Sequence, residues 1–86
     1  MSFWHRFDHP PAAAIDLDDL AAFCSIAEHG SLTRAAAALG VAQSVLSRRT
    51  AALETELGGR LFHRTGRGVV PTELGARLQP RARNVL

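Results

Sequence analysis

Two successive stretches of the chain have apolar residues at helical spacing between a capping residue and a glycine. The first follows Asp16, and its apolar positions recur at +3, +4 and +7, namely at Leu20, Phe23, Cys24 and Ala27. The second follows Ser31 and ends at Gly40, and its predicted buried side consists of Leu32, Ala35, Ala36 and Leu39. The pattern predicts a scaffold helix and then a short helix whose alanines allow close approach to its neighbours.

A third stretch, AQSVLSRRTAALETEL, follows the second helix almost without a linker. Its residues Leu46, Leu53 and Leu57 recur at +7 and +4, so they share one side of a helix. The other side of its first two turns is small, polar and basic, at Gln43, Ser44, Ser47 and Arg48. An apolar back and a hydrogen-bonding front after a short turn predict the reading helix of a DNA-binding helix-turn-helix.

The pattern changes after Gly58-Gly59. Arg60–His63 can pair with Val69-Val70 as two short strands joined across Arg64–Gly68, which predicts a flexible, cationic β wing. Thr72 then caps a last helix. Its apolar stripe consists of Leu74, Leu78, Ala82 and Val85. Because the stripe continues to the last residue, we interpret it as half of a dimer interface.

These elements predict a mainly α fold: a winged helix-turn-helix with a three-helix core and a two-stranded β wing, followed by a linker or dimerisation helix. The predicted bounds are 15–71 for the DNA-binding domain, with the helix-turn-helix at about 32–51, and 72–86 for the start of the linker helix. Pro80 removes one helical hydrogen bond and predicts a bend. Since the helix spans only about 22 Å, we expect a weak homodimer at best in solution.

Residues 1–14 show no helical period and contain Pro10-Pro11, so we interpret them as an N-terminal extension. They nevertheless hold three of the five aromatic residues of the protein, Phe3, Trp4 and Phe7. Two interpretations stay open. The extension is either a disordered arm or upstream start, or an aromatic arm that packs on a partner or on the domain itself.

Charge is distributed unevenly along the 86 residues, although the net charge is only +2. Residues 1–30 hold one arginine and five acidic residues, whereas residues 31–86 hold nine arginines and three acidic residues. The basic part therefore coincides with the predicted reading helix and wing. All ten basic residues are arginines, which suits bidentate contacts to phosphate and guanine. A GC-rich genome would produce the same bias.

Several classes of protein are disfavoured. No apolar stretch approaches the roughly 20 residues of a membrane span, and no secretion signal is apparent, so we expect a cytoplasmic protein without a membrane partner. The sequence has no nucleophile–base set, phosphate-binding glycine loop, carboxylate pair or metal-ligand spacing, so we expect neither an enzyme nor a metal site. Cys24 is the only cysteine and is expected to be a small core residue.

Two segments carry a specific family resemblance: LDDLAAFCSIAEHGSLTRAAAALGVAQSVLSRR and ALETELGGRLFHRTGRGVVPTELG. From Ile15 to Leu86, which is 72 of 86 residues, the chain resembles the N-terminal winged helix-turn-helix domain of LysR-type transcriptional regulators. Three positions depart from the usual family pattern. They are Ala42, where a capping Ser or Thr is usual, Val45, where Ala is usual, and Thr50, where an apolar residue is usual. We expect the Thr50 hydroxyl to bond back to the Leu46 carbonyl.

The resemblance implies a bacterial regulator that binds interrupted inverted repeats in double-stranded promoter DNA and dimerises through the linker helix. A full-length relative would continue into an effector-binding domain that is absent here, so no cofactor is expected in this chain. RNA polymerase is a further partner for such a relative. The chain is then either an excised domain or a truncated natural product.

The predicted DNA contacts fall into three groups. Base readout is assigned to Gln43, Ser44, Ser47 and Arg48, because a glutamine amide suits adenine and an arginine fork suits guanine. Phosphate contacts are assigned to Ser31, Thr33, Arg34 and Arg49. The wing contributes Arg64, Thr65 and Arg67 to the backbone or minor groove. The other arginines, Arg60, Arg77, Arg81 and Arg83, are expected to be solvated or paired within the domain.

Two other functions remain open for the same fold. A winged helix can bind protein through its reading helix, and this chain could then heterodimerise with or sequester a full-length regulator. An RNA-binding winged helix is disfavoured, because residues 31–86 contain only one aromatic residue, Phe62, for base stacking.

Overall fold

The computed structural model of the protein describes residues 15–86, which form four helices and one two-stranded antiparallel sheet. The elements are α1 (Leu17–His29), α2 (Leu32–Leu39), α3 (Gln43–Leu57), β1 (Phe62–Thr65), β2 (Gly68–Pro71) and α4 (Glu73–Val85). This order is the predicted one, and the mainly α winged-helix class is confirmed. The predicted N-terminal extension lies outside the described residues.

Three of the four helices have the side-chain N-cap that the sequence predicts. Asp16 accepts from the Asp18 N–H at 2.7 Å, Ser31 from the Arg34 N–H at 3.2 Å, and Thr72 from the Gly75 N–H at 3.1 Å. The N-cap of α3 is Ala42, which makes no side-chain capping bond. The reading helix therefore begins without the support that the other three helices have.

The core lies between α1 and the surrounding elements α2, α3, β1 and α4. Its largest fully buried side chains are Phe23, Ile26, Leu46, Leu53 and Leu61. The rings of Phe23 on α1 and Phe62 on β1 lie 5.3 Å apart between centroids, which joins the wing to the helical core. Leu39 is 44% exposed, so its predicted place on the buried side of α2 is wrong. It is the last residue of α2, where the chain turns towards α3.

The wing is longer and its turn tighter than the sequence predicts. Phe62 pairs with Pro71 and Thr65 with Gly68, so only Gly66 and Arg67 form the turn. The predicted strands at Arg60–His63 and Val69-Val70 with an Arg64–Gly68 tip are therefore wrong in their bounds. The Thr65 hydroxyl accepts from the Arg67 N–H at 3.1 Å and donates to the Gly68 carbonyl at 3.3 Å, which closes the turn early.

Arg60 and Leu61 form a corner between α3 and the wing rather than part of a strand. The Glu54 carboxylate accepts from the Leu61 N–H at 2.8 Å, and the Thr72 N–H donates to the Leu61 carbonyl at 2.9 Å. The Thr72 hydroxyl also donates to the Arg60 carbonyl at 2.7 Å. A single corner thus joins the end of α3, the start of β1 and the start of α4.

The apolar stripe of α4 packs mainly on the domain itself. Leu74 and Leu78 are partly buried against the core, and Ala82 is 1% exposed within it. This corrects the assignment of Ala82 to a dimer interface, because its side chain is already covered. Val85 is 59% exposed. The helix continues through Pro80 to Val85.

Gly75 is expected to tolerate no side chain. A Cβ there would overlap the Leu61 carbonyl oxygen, which the Thr72 N–H holds in place. Overpacking lowers the free energy of unfolding by up to about 3 kcal/mol. The better helix propensity of alanine raises it by about 1 kcal/mol. We therefore expect Gly75→Ala to lower the free energy of unfolding by about 2 kcal/mol, measured by urea denaturation.

Gly66→Ala is the matched control, because a Cβ at Gly66 meets no atom within 4 Å. Its free energy of unfolding should stay within about 0.5 kcal/mol of the parent value. Equal stability of the two variants would contradict the close packing of α4 on the corner.

Candidate nucleic-acid interface

The first turns of α3 present a polar front to solvent. Gln43, Ser44, Ser47 and Arg48 are all exposed, while Leu46 and Leu53 on the opposite side are about 1% exposed. Among the described residues, only Gln43 of these four makes a side-chain hydrogen bond. The predicted division of α3 into a front and a back is therefore present. The front offers unused donors and acceptors to an approaching surface.

The one bond on this front joins α2 to α3. The Gln43 Nε2 donates to the Thr33 Oγ1 at 3.0 Å, across ten residues of sequence, and both side chains are exposed. Sequence reasoning assigned these residues to different tasks, base readout and phosphate contact. In the structure, the two side chains are in direct contact where the first turn of α2 meets the start of α3.

Arg49 is engaged within the domain. Its guanidinium lies 3.2 Å from the Asp19 carboxylate and 3.9 Å from that of Asp18, and its side chain is one-third exposed. These contacts tie the reading helix to α1. The phosphate contact of Arg49 stays a prediction, and it would compete with the two acidic partners that already hold this charge. A sequence signal for this ion pair was available, since two aspartates begin α1 in the acidic first part of the chain.

The wing places its arginines in solvent beside α3. Arg64 and Arg67 are exposed, and within residues 15–86 neither makes an ion pair. An open hollow of about 160 Å³ separates the wing from α3, with Ser47 and Arg64 among the residues that line it. Thr65 is exposed, but its hydroxyl holds the wing turn. Arg64 of the wing and Ser47 of the polar front therefore border one concave surface.

The wing is also anchored to the end of α1. The Val69 N–H donates to the Gly30 carbonyl at 3.0 Å, and a Cβ at Gly68 would overlap that carbonyl oxygen. Gly68 has φ +144°, a conformation that other residues rarely adopt. Gly30 and Gly68 thus allow the backbone of the wing to contact the backbone at the end of α1. Ser31, which caps α2, follows Gly30 directly, so this contact fixes the wing relative to the helix-turn-helix.

The remaining arginines mostly pair within the domain, as the sequence led us to expect. Arg60 lies 3.4 Å from Glu54, Arg77 lies 3.3 Å from Glu73, and Arg83 lies 3.7 Å from Glu28. Outside α4, four exposed arginines on the side that carries α2, α3 and the wing have no acidic partner among residues 15–86. They are Arg34, Arg48, Arg64 and Arg67.

Thr50 has an unusual environment on the back of α3. Its Oγ1 is buried and has no hydrogen-bond partner among residues 15–86. The expected bond to the Leu46 carbonyl is therefore wrong, whereas the exposed Thr55 does make such a bond, to the Ala51 carbonyl at 3.0 Å. A buried hydroxyl without a partner destabilises the fold. The reading helix is thus weak at this position as well as at its start.

Cys24 and His29 contribute to structure rather than to a reactive site. Cys24 is buried in the core, as expected, and burial raises the pKa of its thiol, with a further increase from the nearby Glu28 carboxylate. His29 lies at the end of α1, where its Nδ1 is 2.8 Å from the Ser25 carbonyl oxygen. Across residues 15–86 no group of three or more His, Cys, Asp or Glu side chains could hold a metal ion.

Comparison with known proteins agrees with this geometry. A family model described as bacterial regulatory helix-turn-helix protein, lysR family, matches residues 17–76. The Escherichia coli K12 regulator named HTH-type transcriptional regulator PgrR is 52% identical over 63 residues, which cover 73% of this chain and 21% of that protein. The chain spans about a fifth of the length of the first curated relatives it matches.

Solved structures with the same fold include two DNA-binding domains in complex with DNA. The CbnR domain–DNA complex matches with a TM-score of 0.78 at 34% identity, covering 81% of this chain and 80% of that one. The BenM domain bound to the catB site 1 DNA matches with a TM-score of 0.77 at 37% identity, covering 81% and 79%. No helix in the described range 15–86 is long and apolar enough to cross a membrane.

Ala42→Ser should strengthen the start of α3. A serine at the N-cap can accept a hydrogen bond from a backbone N–H of the first turn, which is worth about 1 kcal/mol. We expect the free energy of unfolding to rise by that amount in thermal or urea denaturation. Ala52→Ser, at an exposed position inside the same helix, is the control and should not stabilise the domain. A similar gain in both variants would contradict the role of the missing cap.

Thr50→Val should stabilise the domain by about 1 kcal/mol, because it removes a buried hydroxyl that has no partner. Thr55→Val is the matched control, since the Thr55 hydroxyl is exposed and bonded. It should leave the free energy of unfolding unchanged or slightly lower, and the two variants can be compared by urea denaturation. A loss of stability in Thr50→Val would mean that its hydroxyl has a partner after all.

Proposed function

Because this chain belongs to the lysR family of bacterial regulatory helix-turn-helix proteins, we propose that α3 reads base pairs in the major groove of promoter DNA while the wing grips the backbone or the minor groove. The chain is a DNA-binding domain of a transcriptional regulator, a function that the two DNA-bound structural neighbours also support. The alternative of a protein-interaction winged helix is not favoured. The proposal concerns which residues make the contacts and with what part of the DNA.

The exposed polar front of α3 is the observation that carries this proposal. Its four side chains match the chemistry of base edges: the Gln43 amide suits adenine, and the Arg48 guanidinium suits the two acceptors of guanine. Ser44 and Ser47 are short, so the helix backbone can approach the bases closely. The exposed state of all four side chains means that DNA binding requires no rearrangement of the core.

Phosphate contacts follow from the cations that the domain leaves unpaired. Arg34 in the first turn of α2 and the wing residues Arg64 and Arg67 flank the reading helix. We assign them to the DNA backbone, with the wing also able to reach a narrow minor groove. Ser31 contributes as the cap that orders the start of α2, where backbone N–H groups favour an anion. Arg49 is omitted from this set, since it is paired with α1.

Assembly is proposed through α4. Leu74 and Leu78 are only partly covered by the domain, and Val85 is exposed, so part of the predicted stripe remains for a second copy. Ala82 is excluded from this surface. Two copies would then present two reading helices to an inverted repeat, and we expect the pairing to be weak without DNA. We also propose a cytoplasmic location in contact with the nucleoid, because the DNA target lies there.

The longer relatives suggest what this domain serves. We propose that it directs a regulator to its promoter, where an effector-binding domain senses a small molecule and contact with RNA polymerase sets the transcriptional output. In this proposal, effector sensing and polymerase contact are assigned to the longer relatives. They are properties of a longer protein, of which this chain matches about a fifth.

Arg48→Ala and Arg67→Ala should separate base readout from backbone contact. Target duplexes are first selected from a randomised DNA library, and affinities are then measured by fluorescence anisotropy over a range of salt concentrations. Arg48→Ala should weaken the selected site by about 1–3 kcal/mol and relax its base preference. Arg67→Ala should weaken all duplexes similarly and reduce the slope of log K against log salt by about one.

Arg77→Ala is the matched control, because Arg77 is an exposed arginine of α4 that pairs with Glu73 in its own helix. Its affinity and salt slope should equal those of the parent protein. Equal affinity for every duplex, unchanged by either Arg48→Ala or Arg67→Ala, would refute the assignment of these contacts.

A further inference from the structure

We propose that Thr33 is a positioning residue that orients the Gln43 amide and thereby sets a preference for adenine over guanine at the base pair that Gln43 contacts. The proposal rests on the proposed function, in which Gln43 reads a base. It changes the task assigned to Thr33 from the sequence, which was a phosphate contact without sequence preference. The bond between the two side chains is the observation behind it.

Among residues 15–86, this bond is the only side-chain hydrogen bond of the polar front of α3. Gln43 is the first residue of α3 and Thr33 lies in the first turn of α2, and the Gln43 Nε2 donates to the Thr33 Oγ1 at 3.0 Å. Ala42 provides no side-chain cap at this end of α3. In the described range, Ser44, Ser47 and Arg48 have no side-chain bond of their own. Gln43 is therefore the one reading side chain that is already oriented.

The orientation of the amide decides which base it fits. Adenine presents an acceptor, N7, and a donor, the N6 amino group, whereas guanine presents two acceptors, O6 and N7. With one Nε2 proton donated to Thr33, the amide still offers its other N–H and its Oε1. That donor–acceptor pair matches adenine. The reversed amide, with its Oε1 accepting from the Thr33 hydroxyl, would offer two N–H donors and would match guanine.

In the structure the Gln43 Nε2 is the donor to Thr33, which is the orientation that matches adenine, so we expect the hydroxyl at position 33 to affect discrimination more than overall affinity. Both Thr33 and Gln43 are exposed, so neither is needed to fill the core. A glutamine without a partner samples several rotamers and both amide orientations, and it must lose that freedom when it binds. With Thr33 as its partner, part of this ordering is present before DNA arrives. A phosphate contact, in contrast, would strengthen binding to all sequences alike.

The test compares Thr33→Val, Thr33→Ser, Gln43→Ala and the double variant Thr33→Val/Gln43→Ala, all in the full chain. The contacted base pair is the one in the selected duplex at which Gln43→Ala loses the adenine preference. At that position Thr33→Val should reduce the ratio of adenine to guanine affinity by about threefold to tenfold, the range expected for loss of one hydrogen bond. Thr33→Ser keeps the hydroxyl and should retain the ratio.

The double variant should show no greater loss of discrimination than Gln43→Ala alone, because Thr33 acts through Gln43. Thermal unfolding of each variant checks that the domain stays folded, as expected for two exposed positions. Three results would overturn the proposal: an equal loss for both bases in Thr33→Val, a Thr33→Ser variant that behaves like Thr33→Val, or additive losses in the double variant.

The same measurements separate this proposal from the one it rests on. If Gln43→Ala leaves base preference unchanged at every position, the reading role of Gln43 fails, and the positioning role of Thr33 fails with it. If Gln43→Ala relaxes the preference while Thr33→Val does not, Gln43 reads the base without help from Thr33. Only the positioning role is then rejected.

Discussion

The Leu61 backbone is the constraint on which the rest of the domain depends. Its N–H is held by the Glu54 carboxylate, and its carbonyl is held by the Thr72 N–H, while its side chain is fully buried. Glu54 belongs to the reading helix and Thr72 begins α4, so both are fixed to the strand that starts the wing. Because α4 packs without a Cβ at Gly75, its approach to this corner is set by backbone alone. The reading helix, the wing and α4 therefore keep one relative orientation.

Ion pairs sort the arginines into two populations. Where acidic residues lie within reach, the guanidinium is neutralised inside the domain, as at Arg49 beside Asp19. Among residues 15–86, Arg34, Arg48, Arg64 and Arg67 have no such neighbour, so their charge remains available for an anionic partner. The acidic residues of α1 thus do more than favour the start of a helix. They also pair with Arg49 and Arg83 within the domain.

Local patterns were sufficient to predict the helices, because caps and apolar spacing act within a few residues of sequence. Asp16, Ser31, Gly40 and Thr72 each end or begin a helix where expected. The wing bounds were not predictable, because the Thr65 hydroxyl and the corner at Leu61 decide which residues pair. The polar front of α3 could likewise be predicted from spacing, but the contact between Thr33 and Gln43 could not. It depends on how two helices meet, which the sequence of neither reveals.

The direct junction between the wing and α4 has a mechanical consequence. Pro71 ends β2, Thr72 caps α4, and no free linker separates them. A torque applied to α4 is therefore transmitted to the wing and, through the Leu61 corner, to the end of the reading helix. The domain would turn as a single body rather than bend at a hinge. When two such rigid domains are coupled through α4, the distance between their reading helices is fixed. The dimer then selects operators whose two half-sites are separated by a matching distance.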